Sequence, residues 1–497
     1  MRKRSIAVLA WVVFSGFVAA QEAASKPAYG GPRPFPYPYR SPATPVAELK
    51  ERRARLAAEI RNGAAILVSD ETPSLYTGGR YRPGNNLYYF TGVESDFCAL
   101  VIEAKEGKLV RETLFLPAYD AGYELWNGVR TTADDAARAA TGVQDLVPLG
   151  ASSFGETYGA FEKEFERLVR SGTTLWLEGG AAPGRARTKT LRLAAPTRAD
   201  LLREHAERLL EEPSKGAASG SGRAEGTQAE DEKSESGSGR GTTARRRIRS
   251  AASAAAKLRA VKSDHEIALI REAVRVTGEA YARAIPEVRP GMWEFEFDAL
   301  MQGAFIAAGC SGLPYYPIAA SGPNSCILHY NLSRRRMEDG DLLLSDIAAE
   351  WGWYAADITR TVPVNGKFTP RQRQVYEAVL AGQTAAAVIL RPGVDWATLD
   401  RECRAAMRAA GLKDSEMHPH GLGHPVGLDV HDVGDQTLKA GMLVTIEPGS
   451  YLKREGFGVR IEDVYLVTEH GSECLSRGIP RGPDEIEAWV GSAHRKK

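Results

Sequence analysis

Cysteine is scarce. The 497 residues include five, Cys98, Cys310, Cys326, Cys403 and Cys474, and no two form a C-x-x-C pair. That excludes a cysteine-rich zinc module and a disulfide-dense scaffold, and leaves buried free thiols as the reading. An excess of one charge is also lacking. Lys plus Arg number 64 against 63 Asp plus Glu, a formal charge of +1. The bulk electrostatics therefore offer nothing to a nucleic acid or an anionic membrane. Past the N-terminus, no apolar run approaches the roughly 20 residues that cross a bilayer. No internal repeat is evident by eye.

What is present begins with a targeting pattern. Met1-Arg2-Lys3-Arg4 is basic, residues 5–20 are almost wholly apolar, and Val18-Ala19-Ala20 supplies small residues before Gln21. This order predicts a signal peptide over 1–20, hence an exported protein, periplasmic or secreted, with no membrane attachment after cleavage. Residues 21–45 read as a Pro/Tyr-rich arm. Residues 46–212 alternate strand and helix patterns, which predicts an α/β N-terminal domain. In that stretch 64–68, 87–90, 99–103, 111–116 and 174–177 read as strands. Residues 213–250 read as a disordered polar linker. Positions 213–247 contain no aromatic residue and no Val, Ile, Leu or Met, so they cannot bury enough apolar surface to offset the entropy of ordering. Ser263-x-x-Glu266 is a capping box that opens a second domain over 251–490, followed by a tail at 491–497. Its strands and helices do not alternate strictly, so its class is α+β.

The chemistry concentrates in this second domain. Residues 342–347 and 354–364 read as two strands around Trp351-Gly352. A turn there sets Asp346 directly opposite Asp357, and two facing carboxylates repel unless a cation lies between them. Four of the nine histidines, His418, His420, His424 and His431, fall within 418–431 among glycines, and neutral imidazole is a common metal ligand. His418 reads as a surface residue. Glu447 follows an apolar strand. Arg460 and Glu462 read as one face of a strand over 458–467, where a Glu is costly to bury unless paired or metal-bound. Four carboxylates and an imidazole from separate segments suit a pair of hard or borderline divalent ions.

These segments, in order, resemble the motif series of aminopeptidase P: Ser345-Asp346, Ala356-Asp357-Ile358-Thr359-Arg360-Thr361, His420-Gly421-Leu422-Gly423-His424, Gly427-Leu428-Asp429-Val430-His431-Asp432, Ile446-Glu447-Pro448-Gly449 and Arg460-Ile461-Glu462-Asp463. Residues 323–330, which contain His329, are similar to that family's upstream histidine segment. Residues 85–100 (NNLYYFTGVESDFCAL) are similar to the N-domains of aminopeptidase P and prolidase. The resemblance implies a pita-bread catalytic domain behind an α/β N-domain, and a metal-dependent exopeptidase that cleaves before a proline in second position. It implies two divalent ions, Mn²⁺ with Zn²⁺ or Co²⁺ as alternatives, held by Asp346, Asp357, His424, Glu447 and Glu462, with Asp357 and Glu462 as bridges. A hydroxide between the ions would attack the carbonyl and Glu447 would shuttle the proton. His431 would stabilise the oxyanion, His329 and His420 would line the proline side, and Arg460 would grip a substrate carboxylate. Partners would be proline-second peptides and further copies of the chain. The alternatives are prolidase, with the same chemistry on Xaa-Pro dipeptides, and a non-catalytic pita-bread binding module.

Overall fold

The computed structural model describes residues 43–69, 82–149, 159–178, 198–211 and 247–495. The expected signal peptide, nearly all of the arm and most of the polar linker lie outside the described residues. Among the described residues no helix is long and apolar enough to cross a membrane. The described chain divides into two units, with the boundary after Ala255.

The first unit runs α1 (Val46–Ile60), β1 (Gly63–Val68), α2 (Asn85–Thr91), β2 (Ala99–Lys105), β3 (Lys108–Pro117), α3 (Ala121–Asn127), α4 (Asp135–Thr141), β4 (Asp145–Leu149), α5 (Gly159–Arg170), β5 (Leu175–Leu177), α6 (Arg198–Glu211) and β6 (Ile248–Ser250). The strands form one mixed sheet in the order β4-β3-β2-β1-β5-β6. Antiparallel pairs β1/β2 and β2/β3 are flanked by parallel pairs. Ile66, Val101, Phe115 and Leu175 meet Phe161, Phe165 and Leu168 of α5 in its core.

Two readings change here. Residues 87–90 are helical, because Gly84 and a left-handed Gly92 bound a short helix. Its last carbonyls lack helical partners, and buried Arg52 and Arg53 donate to the Tyr89 and Phe90 carbonyls, both at 2.9 Å. Ile248–Ser250, inside the expected linker, pairs with β5 as the edge strand. Ile248 is the first large apolar side chain after the polar stretch, and it is buried.

The second unit continues from α7 (Ala251–Arg259), which straddles the boundary. It comprises α8 (Asp264–Ala284), α9 (Glu294–Ala308), β7 (Ile318–Ser321), β8 (Leu342–Asp346), β9 (Glu350–Trp351), β10 (Tyr354–Ala355), β11 (Thr359–Pro363), α10 (Pro370–Ile389), α11 (Trp396–Ala409), β12 (Leu443–Ile446), β13 (Gly449–Leu452), β14 (Phe457–Arg460), β15 (Asp463–Val467), β16 (Ser472–Cys474), α12 (Pro483–Trp489) and α13 (Ser492–Arg495). The expected Ser263–Glu266 capping box starts α8. The strands form two three-stranded sheets, β11-β8-β7 and β12-β15-β16, and two hairpins, β9-β10 and β13-β14.

Both long strands expected around the carboxylates are interrupted. Asp357 lies in the gap between β10 and β11, and Glu462 in the gap between β14 and β15. The same construction holds each gap. Tyr281 of α8 donates to the carbonyls of Ser345 and Ile358 at 2.9 and 3.0 Å. Gln383 of α10 donates to those of Ile446 and Ile461, both at 3.2 Å. In each case a buried helix side chain ties a carbonyl within the gap to one in a neighbouring strand.

Candidate active site

The hairpin carrying the two aspartates turns one step later than expected. Gly352 and Trp353 both have positive φ, 55° and 69°, the signature of a two-residue primed turn that matches strand twist. Trp351 therefore pairs with Tyr354, and Asp346 pairs with Thr359 rather than with Asp357. The shift is two residues, so Asp357 keeps the face it shares with Thr359 and the carboxylates stay on one side.

Asp357, His424 and Glu462 converge: one ligand atom from each lies within 4.8 Å of the others. His424 Nε2 is 3.3 Å from Asp357 Oδ2 and 3.4 Å from Glu447 Oε1. Asp357 and Glu462 are buried, and Asp357 Oδ1 and Glu462 Oε1 have no hydrogen-bond partner. The other Glu462 oxygen, Oε2, accepts from Thr359 Oγ1 at 2.7 Å. Asp346 is held by Tyr315 Oη at 2.7 Å and by Arg460 at 2.6 Å.

Charge crowding is severe here. Burial first, with neighbouring carboxylates adding to it, pushes Asp346, Glu447 and Glu462 above the usual range, against Arg460 and, at Glu447, against His424 as well. Burial alone would depress His424, but Asp357 and Glu447 outweigh it and raise the imidazole to about 9. Orphaned buried carboxylate oxygens beside an imidazole, in a site that otherwise retains protons, fit a divalent cation in their midst.

His431 is exposed, with its ring 4.0 Å from that of His424. His420 donates or accepts with Tyr451 Oη at 2.9 Å, and burial lowers it to about 4. His329 is exposed and is not hydrogen-bonded to the cluster. Arg460 departs from its expected role. It is buried, and its guanidinium bonds Asp346, Thr359 Oγ1 at 3.1 Å and Tyr451 Oη at 3.0 Å. A desolvated guanidinium satisfied by an internal carboxylate is not free to grip a substrate. His418 is buried rather than on the surface, with Nε2 2.9 Å from Asp400.

Sequence reading missed Tyr315, Thr359 and Tyr451, which are ordinary residues until folding places their hydroxyls. It also missed the support beneath the site. Arg360 is fully buried and donates to the Thr359 and Glu462 carbonyls at 2.9 and 2.8 Å, and to Asp463 at 2.7 Å. A signal was available: two charged residues, Arg360 and Asp463, directly adjoin apolar strand sequence.

Comparison with known proteins agrees with this geometry. The model for metallopeptidase family M24 matches residues 268–469, and that for the aminopeptidase P N-terminal domain matches 49–153. The chain is 30% identical to Xaa-Pro aminopeptidase of Escherichia coli K12, over 90% of this chain and 98% of that protein. It is 27% identical to mouse Xaa-Pro aminopeptidase 3, over 92% and 90%. The structure of zinc-substituted E. coli aminopeptidase P in complex with product superposes with a TM-score of 0.73 at 28% identity, covering 92% of this chain and 100% of that one. With both domains matched in order and a relative matched over nearly its whole length, the chain belongs to the aminopeptidase P family of M24 metallopeptidases and has its pita-bread catalytic domain.

Proposed function

We propose that the protein is a divalent-metal-dependent Xaa-Pro aminopeptidase, removing the amino-terminal residue from peptides with proline second. The observation that carries this is the buried convergence of Asp357, His424 and Glu462 with two orphaned carboxylate oxygens. Asp346, Asp357, His424, Glu447 and Glu462 are the proposed ligands of two ions, with Mn²⁺ as the working metal. When bound, such ions supply Lewis acidity, polarising the scissile carbonyl and acidifying water. Glu447 holds and moves the reaction's proton in this reading, supported by its half-buried position and raised pKa. His431, its ring tilted against that of His424 and open to solvent, donates to the developing oxyanion. His420 and His329 line the proline side. Arg460 sets the charge and position of Asp346 rather than binding substrate. We also read the protein as exported through its N-terminal signal and as homo-oligomeric.

The relatives named above are aminopeptidases, which favours this reading over prolidase. The test is hydrolysis of an Xaa-Pro-Xaa tripeptide beside an Xaa-Pro dipeptide, with Mn²⁺ and with chelator. Metal-dependent release of the first residue from the tripeptide is expected. Cleavage of the dipeptide alone, or unchanged activity in Asp357→Ala, would refute it.

A further inference from the structure

Residues 424–432 carry both His424 and His431, and beneath them lies a charge cluster that the proposed chemistry does not use. Asp432 is buried. Its Oδ1 lies 2.5 Å from Arg259 and its Oδ2 3.2 Å from Lys262 Nζ, both cations being buried as well. Arg259 also reaches half-exposed Asp429 at 3.0 Å. Buried ion pairs of this kind seldom add net stability over apolar packing, because the desolvation cost is so large. Their better-attested contribution is to select one arrangement.

The arrangement selected here is specific. The Asp432 N–H donates to the carbonyl of Pro425 at 2.9 Å. His424 Nδ1 lies 3.1 Å from that same oxygen. A carbonyl only accepts, so Nδ1 carries the hydrogen and Nε2 is the atom presented to Asp357 and Glu447. Gly427 lies flat on the Asp432 carboxylate: a Cβ there would meet Oδ2 at 1.9 Å. The Gly427 carbonyl in turn accepts from Ala355 N–H at 2.8 Å, two residues before Asp357.

We propose that Asp432, clamped by Arg259 and Lys262, is a positioning residue that fixes the Pro425 carbonyl, and with it the tautomer and aim of His424 and the placement of His431. This rests on the metal-centre reading above. The closing experiment uses Co²⁺ alone, titrated into chelator-treated full-length protein and followed by its visible absorption. The wild type is expected to bind. Asp432→Asn is expected to bind more weakly, by up to the about 10–100-fold that losing an outer partner of a ligand histidine costs, because the Pro425 carbonyl that orients His424 loses its anchor, with an altered band and a lost His424 Nδ1–H signal in ¹H–¹⁵N imidazole spectra. Gly427→Ala, which displaces the carboxylate without removing charge, is expected to shift affinity the same way, and decides the matter if Asp432→Asn does not fold. Folded variants with wild-type affinity, band and imidazole signal would overturn the inference and leave the metal reading standing. A wild type that binds no Co²⁺ would overturn both.

Discussion

Removing the guanidinium of Arg360 should cost more stability than any surface charge in the second unit. Its side chain is fully buried and makes five hydrogen bonds, to the carbonyls of Thr359, Glu462, Ile479 and Pro480 and to Asp463. Arg360→Met keeps the stem and strands those acceptors. Asp463 would keep Gln383, Ser476 and the more distant Arg481, at 3.0, 2.5 and 3.2 Å. Breaking a buried pair from one side costs about 3–5 kcal/mol. At about 2–4 °C per kcal/mol for domains of 150–250 residues, the melting temperature of this unit should fall by about 6–20 °C. Calorimetry of Arg360→Met is the assay, with Arg373→Met as the reference. Arg373 pairs on the surface with Asp484, which is 86% exposed, and with Glu377, where solvent screening leaves such pairs little effect on stability. A single variant that melts within 2 °C of the reference, by the same scale, would show that the buried network holds nothing together.

Metal uptake should release protons. Before metal binds, His424 is raised to about 9, Glu447 to about 7 and Glu462 well above the usual carboxylate range, so near neutral pH these groups retain protons that ligands must lose. Apparent affinity should therefore rise with pH and weaken as pH falls. Calorimetric titration in buffers of different ionisation enthalpy would show this, and zero proton release would contradict it. Gly423→Ala should cost about 1–3 kcal/mol by overpacking and weaken metal binding, because its Cβ would meet the Thr445 carbonyl at 2.1 Å beside His424. Denaturation midpoints and Co²⁺ titration check both parts. Thiol titration should find no more than Cys474 accessible in the native protein and all five cysteines after unfolding, since none is disulfide-bonded and only Cys474 is not buried.

The residue types and their order were enough to locate the ligand candidates. Facing carboxylates at Asp346 and Asp357, the acidic residues Glu447 and Glu462 beside or within apolar strands, and four histidines among glycines at 418–431 marked the candidates, and the resemblance to aminopeptidase P singled out His424 among the histidines. Helix ends were equally legible where chemistry marks them, as at Ser263-x-x-Glu266 for α8. Strand interruptions were not. Periodicity gives each side chain a face, but it does not say where a ladder stops, and Asp357 and Glu462 both sit where it stops. Register was missed for a related reason: whether Gly352 takes the first or second place in the turn is settled by how the strands twist together, not by composition. Tertiary structure alone decided that Arg460 faces Asp346, that His418 is buried, and that Arg360 and Asp432 anchor the site from beneath. Each of these depends on partners more than 15 residues away in sequence. Local pattern is blind to them because long-range contacts are fixed by packing the whole domain.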